Sequence, residues 1–186
     1  MSVNLNNAIG IQLKQARTNK GWSLDVASKH TGVSKAMLGQ IERGESSPTV
    51  ARLWNIATGF HLPLSYFFVS VENTTDVGLS KNTLKSESGI SITTLFPFDP
   101  VTKSEIFSLS LAPQHQQISA PHNDGVIEHI LVIEGEIEYF LHDQWHYLNK
   151  GDVAKFNANQ KHGYRNMSGS QAIFHNIICY TSDNKP

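Results

Sequence analysis

The stretch from Gly21 to Thr49, GWSLDVASKHTGVSKAMLGQIERGESSPT, leaves this chain few ways to fold. Leu24, Ala27, Val33, Leu38 and Ile41 fall at spacings that bury one face of each of two short helices. Ser28 is small where those helices meet, and Gly32 supplies the backbone freedom of a sharp inter-helix turn. Ser34 then offers a hydroxyl to cap the second helix. Lys35, Ala36, Gly39, Gln40 and Arg43 are left pointing away from the core. A helix face of small, amide and cationic residues suits a DNA major groove, because it approaches closely, reads base edges and holds phosphates.

Helical periodicity extends to both sides. Ala8 to Asn19 buries Ile9, Leu13 and Ala16. Ser47-Pro48 reads as a cap and first-turn proline ahead of a helix with Val50, Leu53, Ile56 and Ala57 inward, and a short last helix spans Leu64 to Phe68. Residues 9–68 resemble the helix-turn-helix domain of the phage-repressor-like (Cro/C1, XRE) regulators. The resemblance rests on RTNKGWSL, the small residues at Ser28 and Gly32, TGVS, IERG at 41–44, and SPT, and it spans five predicted helices. Ser28 stands where the family usually carries Ala.

Charge divides the chain in the same place. Residues 1–68 hold seven Lys and Arg against three acids, a net +4, while the remaining eight basic and thirteen acidic residues give −5. A cationic first unit beside an anionic remainder implies that only the first approaches a polyanion. Cys179 is the single cysteine, which excludes an intramolecular disulfide and points to a reducing compartment. The start, MSVNLNN, lacks a basic-then-apolar leader pattern, and no apolar run approaches membrane-spanning length. A soluble, cytoplasmic protein with no membrane partner is the expectation.

Residues 69–90, rich in Ser, Thr, Asn and acids, read as a linker with one short element at most. From residue 91 to 186 the pattern is β. SITTLF, EIFSLSLA, VIEHILVIE, EIEYFLH, WHYL, DVAKF and QAIFHNIICYTS are short branched and aromatic runs, separated by Gly, Asn, Asp and Pro. Many short strands at this spacing imply an antiparallel sandwich or barrel.

Within that unit, PHNDGVIEHILVIEGEIEYF (121–140) and GDVAKFNANQKHGYRN (151–166) resemble the two motifs of the cupin small barrels. The resemblance implies a divalent metal held by two histidines and a glutamate from the first motif and a histidine from the second. His122 stands at the first histidine position, Glu128 at the glutamate and His162 at the second motif's histidine. The second histidine position holds Asp124, which can ligate through oxygen. Asn157 and Asn159 replace a proline and a glycine of the second motif. The implied set is therefore His122, Asp124, Glu128 and His162, with zinc expected first among Zn, Mn, Fe and Ni. The same side chains could instead hydrogen-bond an organic ligand. His129 follows Glu128 on a strand and faces the other side. His142, His146 and His175 read as surface or barrel wall, and His115 as loop.

A five-helix repressor-like domain (1–68), a linker (69–90) and a cupin barrel (91–186) together resemble a family of bacterial two-domain regulators. TGVSKAMLGQIERGESSPTVARLW, LFPFDP, PHNDGVIEHILVIEG and HGYRN are most similar to the sulfur-utilisation branch, from about Leu13 to Tyr180. That likeness implies a cysteine- or methionine-like effector sensed by the barrel and no catalysis. Lys35, Ala36 and Gln40 are the candidates for base contact, and Ser23, Ser34 and Arg43 for phosphates. One such helix makes a small interface, so a homodimer through the cupin domain on a two-fold operator is expected. A metal-dependent cupin enzyme with an appended DNA-binding domain, an unregulated phage-type repressor and an interaction scaffold are the alternatives.

Overall fold

A computed structural model describes residues 5–68, 83–85 and 89–181. The expected linker falls largely outside the described residues. Four α-helices open the chain: α1 (Leu5–Asn19), α2 (Leu24–Thr31), α3 (Lys35–Glu42) and α4 (Val50–Phe60). Each of the last three starts on a hydroxyl. Ser23 Oγ accepts from Val26 N at 3.2 Å, Ser34 Oγ from Met37 N at 3.3 Å and Thr49 Oγ1 from Arg52 N at 3.2 Å. The cap of α4 is thus Thr49 rather than Ser47, and Pro48 precedes it. Gly32, at φ 67°, takes the left-handed conformation that ends α2 and aims the chain into α3.

The fifth expected helix is a single 3-10 turn, Leu64–Phe67. Its first backbone N–H groups, those of Leu64 and Ser65, have no partner within the turn and donate to the carboxylate of Glu105.

Ten antiparallel strands follow: β1 (Thr83–Lys85), β2 (Ile90–Asp99), β3 (Ser104–Leu111), β4 (His115–Ser119), β5 (Val126–Glu134), β6 (Glu136–Leu141), β7 (Gln144–Asn149), β8 (Val153–Asn157), β9 (His162–Asn166) and β10 (Ala172–Tyr180). They form a six-stranded sheet, β1-β2-β3-β10-β5-β8, and a four-stranded sheet, β4-β9-β6-β7. Strict alternation of buried and half-buried residues along β3, β5 and β10 turns one face of each into the barrel. The β6–β7 hairpin turns on His142 and Asp143, both at positive φ, as a two-residue type I′ turn requires. HQQIS is strand rather than loop, and His115 is buried on it.

The helical unit sits directly on the barrel, and buried apolar side chains from both form one continuous core. Fully buried Glu105 on β3 accepts from Leu64 N at 3.0 Å, Ser65 N at 2.9 Å and the Tyr180 hydroxyl at 2.5 Å. Ser65 Oγ in turn accepts from Phe98 N at 2.8 Å. Burial raises the Glu105 pKa above the usual carboxylate range, against the opposing effect of these donors. No helix among the described residues is long and apolar enough to cross a membrane.

Candidate metal centre and DNA-contact face

Strand pairing brings the two cupin-like stretches together. β5 and β8 run antiparallel with Glu128 opposite Phe156. The backbone of His122 is pinned to the second stretch by its N–H on Ala158 O at 2.8 Å. His162 opens β9 with its ring buried, tilted by 46° against Phe156 at 5.6 Å. His122, Glu128 and His162 are all buried, and their ligand atoms lie within 4.8 Å of one another.

Both Nε2 atoms converge on one carboxylate oxygen. His122 Nε2 is 3.1 Å and His162 Nε2 3.4 Å from Glu128 Oε1. Donors bound about 2.0–2.2 Å from one ion at angles of about 90–110° lie roughly 2.9–3.5 Å apart, so both histidine–glutamate separations suit a shared divalent cation. His162 Nδ1 sits 2.8 Å from Gln160 O. That bond fixes Nδ1 as the protonated nitrogen and leaves the Nε2 lone pair facing the cluster. Two imidazoles and one carboxylate are a donor set for Zn2+ or a similar transition metal.

Burial alone would push the Glu128 carboxyl up, but the His162 and His122 rings outweigh it and hold Glu128 well below the usual carboxylate range. Burial pulls His162 down, and Glu128 more than reverses this, leaving its pKa raised. The Tyr164 hydroxyl, driven far up by burial and then by Glu128, stays protonated and donates to Glu128 Oε2. Asn176 Nδ2 donates to the same oxygen at 2.8 Å. Tyr164 and Asn176 therefore orient the carboxylate. Asn176 Oδ1 is a buried acceptor with no partner among the described residues.

Asp124 does not join this cluster. It is exposed in the turn before β5, and its carboxylate accepts from Asn159 Nδ2 at 3.0 Å. The ligand set reduces to three residues. Tyr164 and Asn176 were legible in principle. Tyr164 lies two residues beyond His162 on one strand face, and Asn176 is a polar break in the inward row Ala172, Phe174, Ile178, Tyr180.

On the helical unit, Lys35, Ala36, Gln40 and Arg43 are exposed on or just after α3, and Ser23 and Ser34 are exposed at the starts of α2 and α3. Gly39 instead is buried beneath Arg43 and against Leu24, because a Cβ there would stand 3.1 Å from the Arg43 guanidinium. Lys35 pairs with Asp25 at 2.7 Å and Arg43 with Glu45 at 2.7 Å, all four exposed. Exposed pairs of this kind are worth little, so either cation can exchange its partner for a phosphate at small cost. Glu42, the acid on α3, is kept from that face by Arg17 of α1, which donates to it twice, at 2.6 and 2.8 Å, and donates to Trp22 O at 2.9 Å.

This pairing of folds defines the class. A helix-turn-helix family profile matches residues 13–67 and a cupin-domain profile matches residues 107–178. The chain belongs to the two-domain helix-turn-helix transcriptional regulators that carry a cupin barrel. It is 43% identical, over 95% of its length and 97% of the relative's, to the HTH-type transcriptional regulator SutR of Escherichia coli (strain K12). It also superposes on the crystal structure of an HTH_3 family transcriptional regulator from Vibrio cholerae. There the TM-score is 0.81 and the identity 42%, covering 96% of this chain and 98% of that one.

Proposed function

We propose that this regulator is ligand-responsive. Its α3 face reads a two-fold operator, and its barrel senses a small molecule at a metal-supported site. The observation that carries the reading is the convergence of His122 and His162 Nε2 on one Glu128 oxygen, inside a barrel joined to a DNA-binding unit. Gln40 pairs with adenine, Lys35 with guanine, and Ala36 packs on a thymine methyl. Ser23, Ser34 and Arg43 hold phosphates and so position the helix without specifying sequence.

His122, Glu128 and His162 hold the ion, zinc first. A bound ion would supply a Lewis-acid coordination point for an effector with a sulfur, nitrogen or oxygen donor. Asn176 Oδ1 offers a buried acceptor for an effector N–H or O–H. The effector is cysteine- or methionine-like and the protein a cytoplasmic homodimer joined through the barrels, as the resemblance of its sequence to the sulfur-utilisation branch implies.

The test uses an operator obtained by binding-site selection and fluorescence anisotropy with zinc-loaded protein, with and without L-cysteine or L-methionine. The expected response is a change in operator Kd of roughly 5–150-fold, the usual range of coupling between sites. His162→Ala should abolish that response and keep the basal affinity. Coincident titrations for parent and variant would refute the site assignment.

A further inference from the structure

Within the apolar core that the helical unit shares with the barrel, two contacts of different character stand out. The first is the Glu105 joint, where one buried carboxylate holds Leu64 N and Ser65 N while Ser65 Oγ holds Phe98 N. None of these groups contacts the histidine–glutamate cluster. The second is at the cluster itself. The Trp54 ring of α4 stacks on the His122 ring at 4.6 Å and 28°, and Asn123 Nδ2 donates to Thr58 O at 3.3 Å.

There is no slack at this second contact. Trp54 and His122 are each 8% exposed. The crevice that Trp54, Thr58 and His122 line has a volume of about 10 Å³, at most one water. His122 therefore cannot tilt without displacing Trp54.

Ion binding gives the His122 ring a new partner, because both histidine Nε2 atoms lie at cation spacing from Glu128 Oε1. In its hydrogen bond His122 Nε2 points at Glu128 Oε1. In a shared site it must point at a centre roughly 2 Å from both atoms.

Behind Trp54, α4 is locked to the rest of the helical unit. Gly59 lies so close to α2 that a Cβ on it would come 2.6 Å from His30 O. Trp22 packs on Phe60 at 5.0 Å. Displacement of α4 therefore carries α2, and with it α3, as one body rather than dissipating in the helices.

We infer that Trp54 is the transmission contact of the sensor: occupancy of the cluster re-aims His122, drives Trp54, and pivots the helical unit about the Glu105–Ser65 joint. This rests on His122, Glu128 and His162 forming the sensing site. In a two-fold dimer such a pivot changes the separation of the two α3 helices, which operator half-sites of fixed spacing would register.

The test measures domain orientation directly. Nitroxide labels are placed on exposed positions through Lys29→Cys on α2 and Val101→Cys in the β2–β3 turn, in a full-length Cys179→Ser background. Pulsed dipolar spectroscopy gives the distance with and without Zn2+, and calorimetry reports zinc binding on the same samples. In the parent, zinc binds and the distance distribution shifts. Trp54→Phe keeps a stacking ring and keeps the shift. Trp54→Leu binds zinc and loses the shift. Zinc binding with no shift in the parent, or a full shift in Trp54→Leu, overturns the transmission role and leaves the site reading intact. Absence of zinc binding in the parent overturns the site reading and the transmission role together.

Discussion

Removing the Glu105 carboxylate should cost the protein a large share of its stability. In Glu105→Ala several buried donors lose their acceptor at once, among them the three of Leu64 N–H, Ser65 N–H and the Tyr180 hydroxyl. A buried donor left unpaired costs about 1–3 kcal/mol, and partial relaxation makes three such losses less than additive. The expected loss is about 3–6 kcal/mol, against a total of about 5–15 kcal/mol for a typical domain. Urea denaturation of parent and variant provides the measure, read as a lower midpoint at an unchanged slope.

Glu105→Gln separates geometry from charge, because the amide keeps one acceptor and does not titrate. The folded-state pKa of Glu105 is raised by burial, so its titration favours the folded state most below the unfolded carboxylate value, about 4.3. That contribution is lost as pH rises through the folded value. The stability gap between parent and Glu105→Gln should therefore be widest in acid and narrow toward neutrality. A loss below about 1 kcal/mol in Glu105→Ala would refute the claim that this carboxylate holds the two units together.

Other consequences follow from the two sites. Gln40→Ala should relax selectivity at one operator position and cost roughly 1–3 kcal/mol there, read by binding-site selection and anisotropy. Arg17→Met strands the Glu42 carboxylate, whose side chain is 8% exposed, and should cost several kcal/mol, in the manner of a broken buried pair, in thermal or urea denaturation. In the metal-free protein, the Glu128 contribution is present above about 4.3 and lost as pH falls through its depressed value. The His162 contribution is present below about 6.5 and lost as pH rises through its raised value. Their pairing should thus stabilise most between those pH values, and Glu128→Gln should flatten the profile. Zinc must displace the His162 proton, so calorimetric affinity should fall with pH from a point above the ordinary histidine range.

The helix-turn-helix was legible because it is built from local signals. The caps at Ser23 and Ser34, the left-handed Gly32 and the spacing of Ala27, Leu38 and Ile41 lie within a few residues of what they control. Glu128 and His162 come together for a related reason, since alternation along a strand states which face a residue takes, while His122 precedes β5 and is held by its N–H on Ala158 O. Asp124 fell out because a loop residue has no such alternation, and its position was decided by Asn159, thirty-five residues away. The acceptor that caps the last turn, Glu105, lies forty residues further on. Trp54 was not among the inward residues named for α4, and its partner is His122, which no periodicity within α4 could name. Long-range polar and aromatic contacts across the joint were the part hidden from the sequence.

The measurement that bears most directly on the account is native mass spectrometry of the purified full-length protein, alongside its His162→Ala variant. The account predicts a dimer carrying one divalent ion per protomer in the parent, and the same dimer without the ion in the variant. A parent that takes up no ion when supplied with zinc, or a variant that retains it fully, would contradict the barrel site on which the sensing function rests.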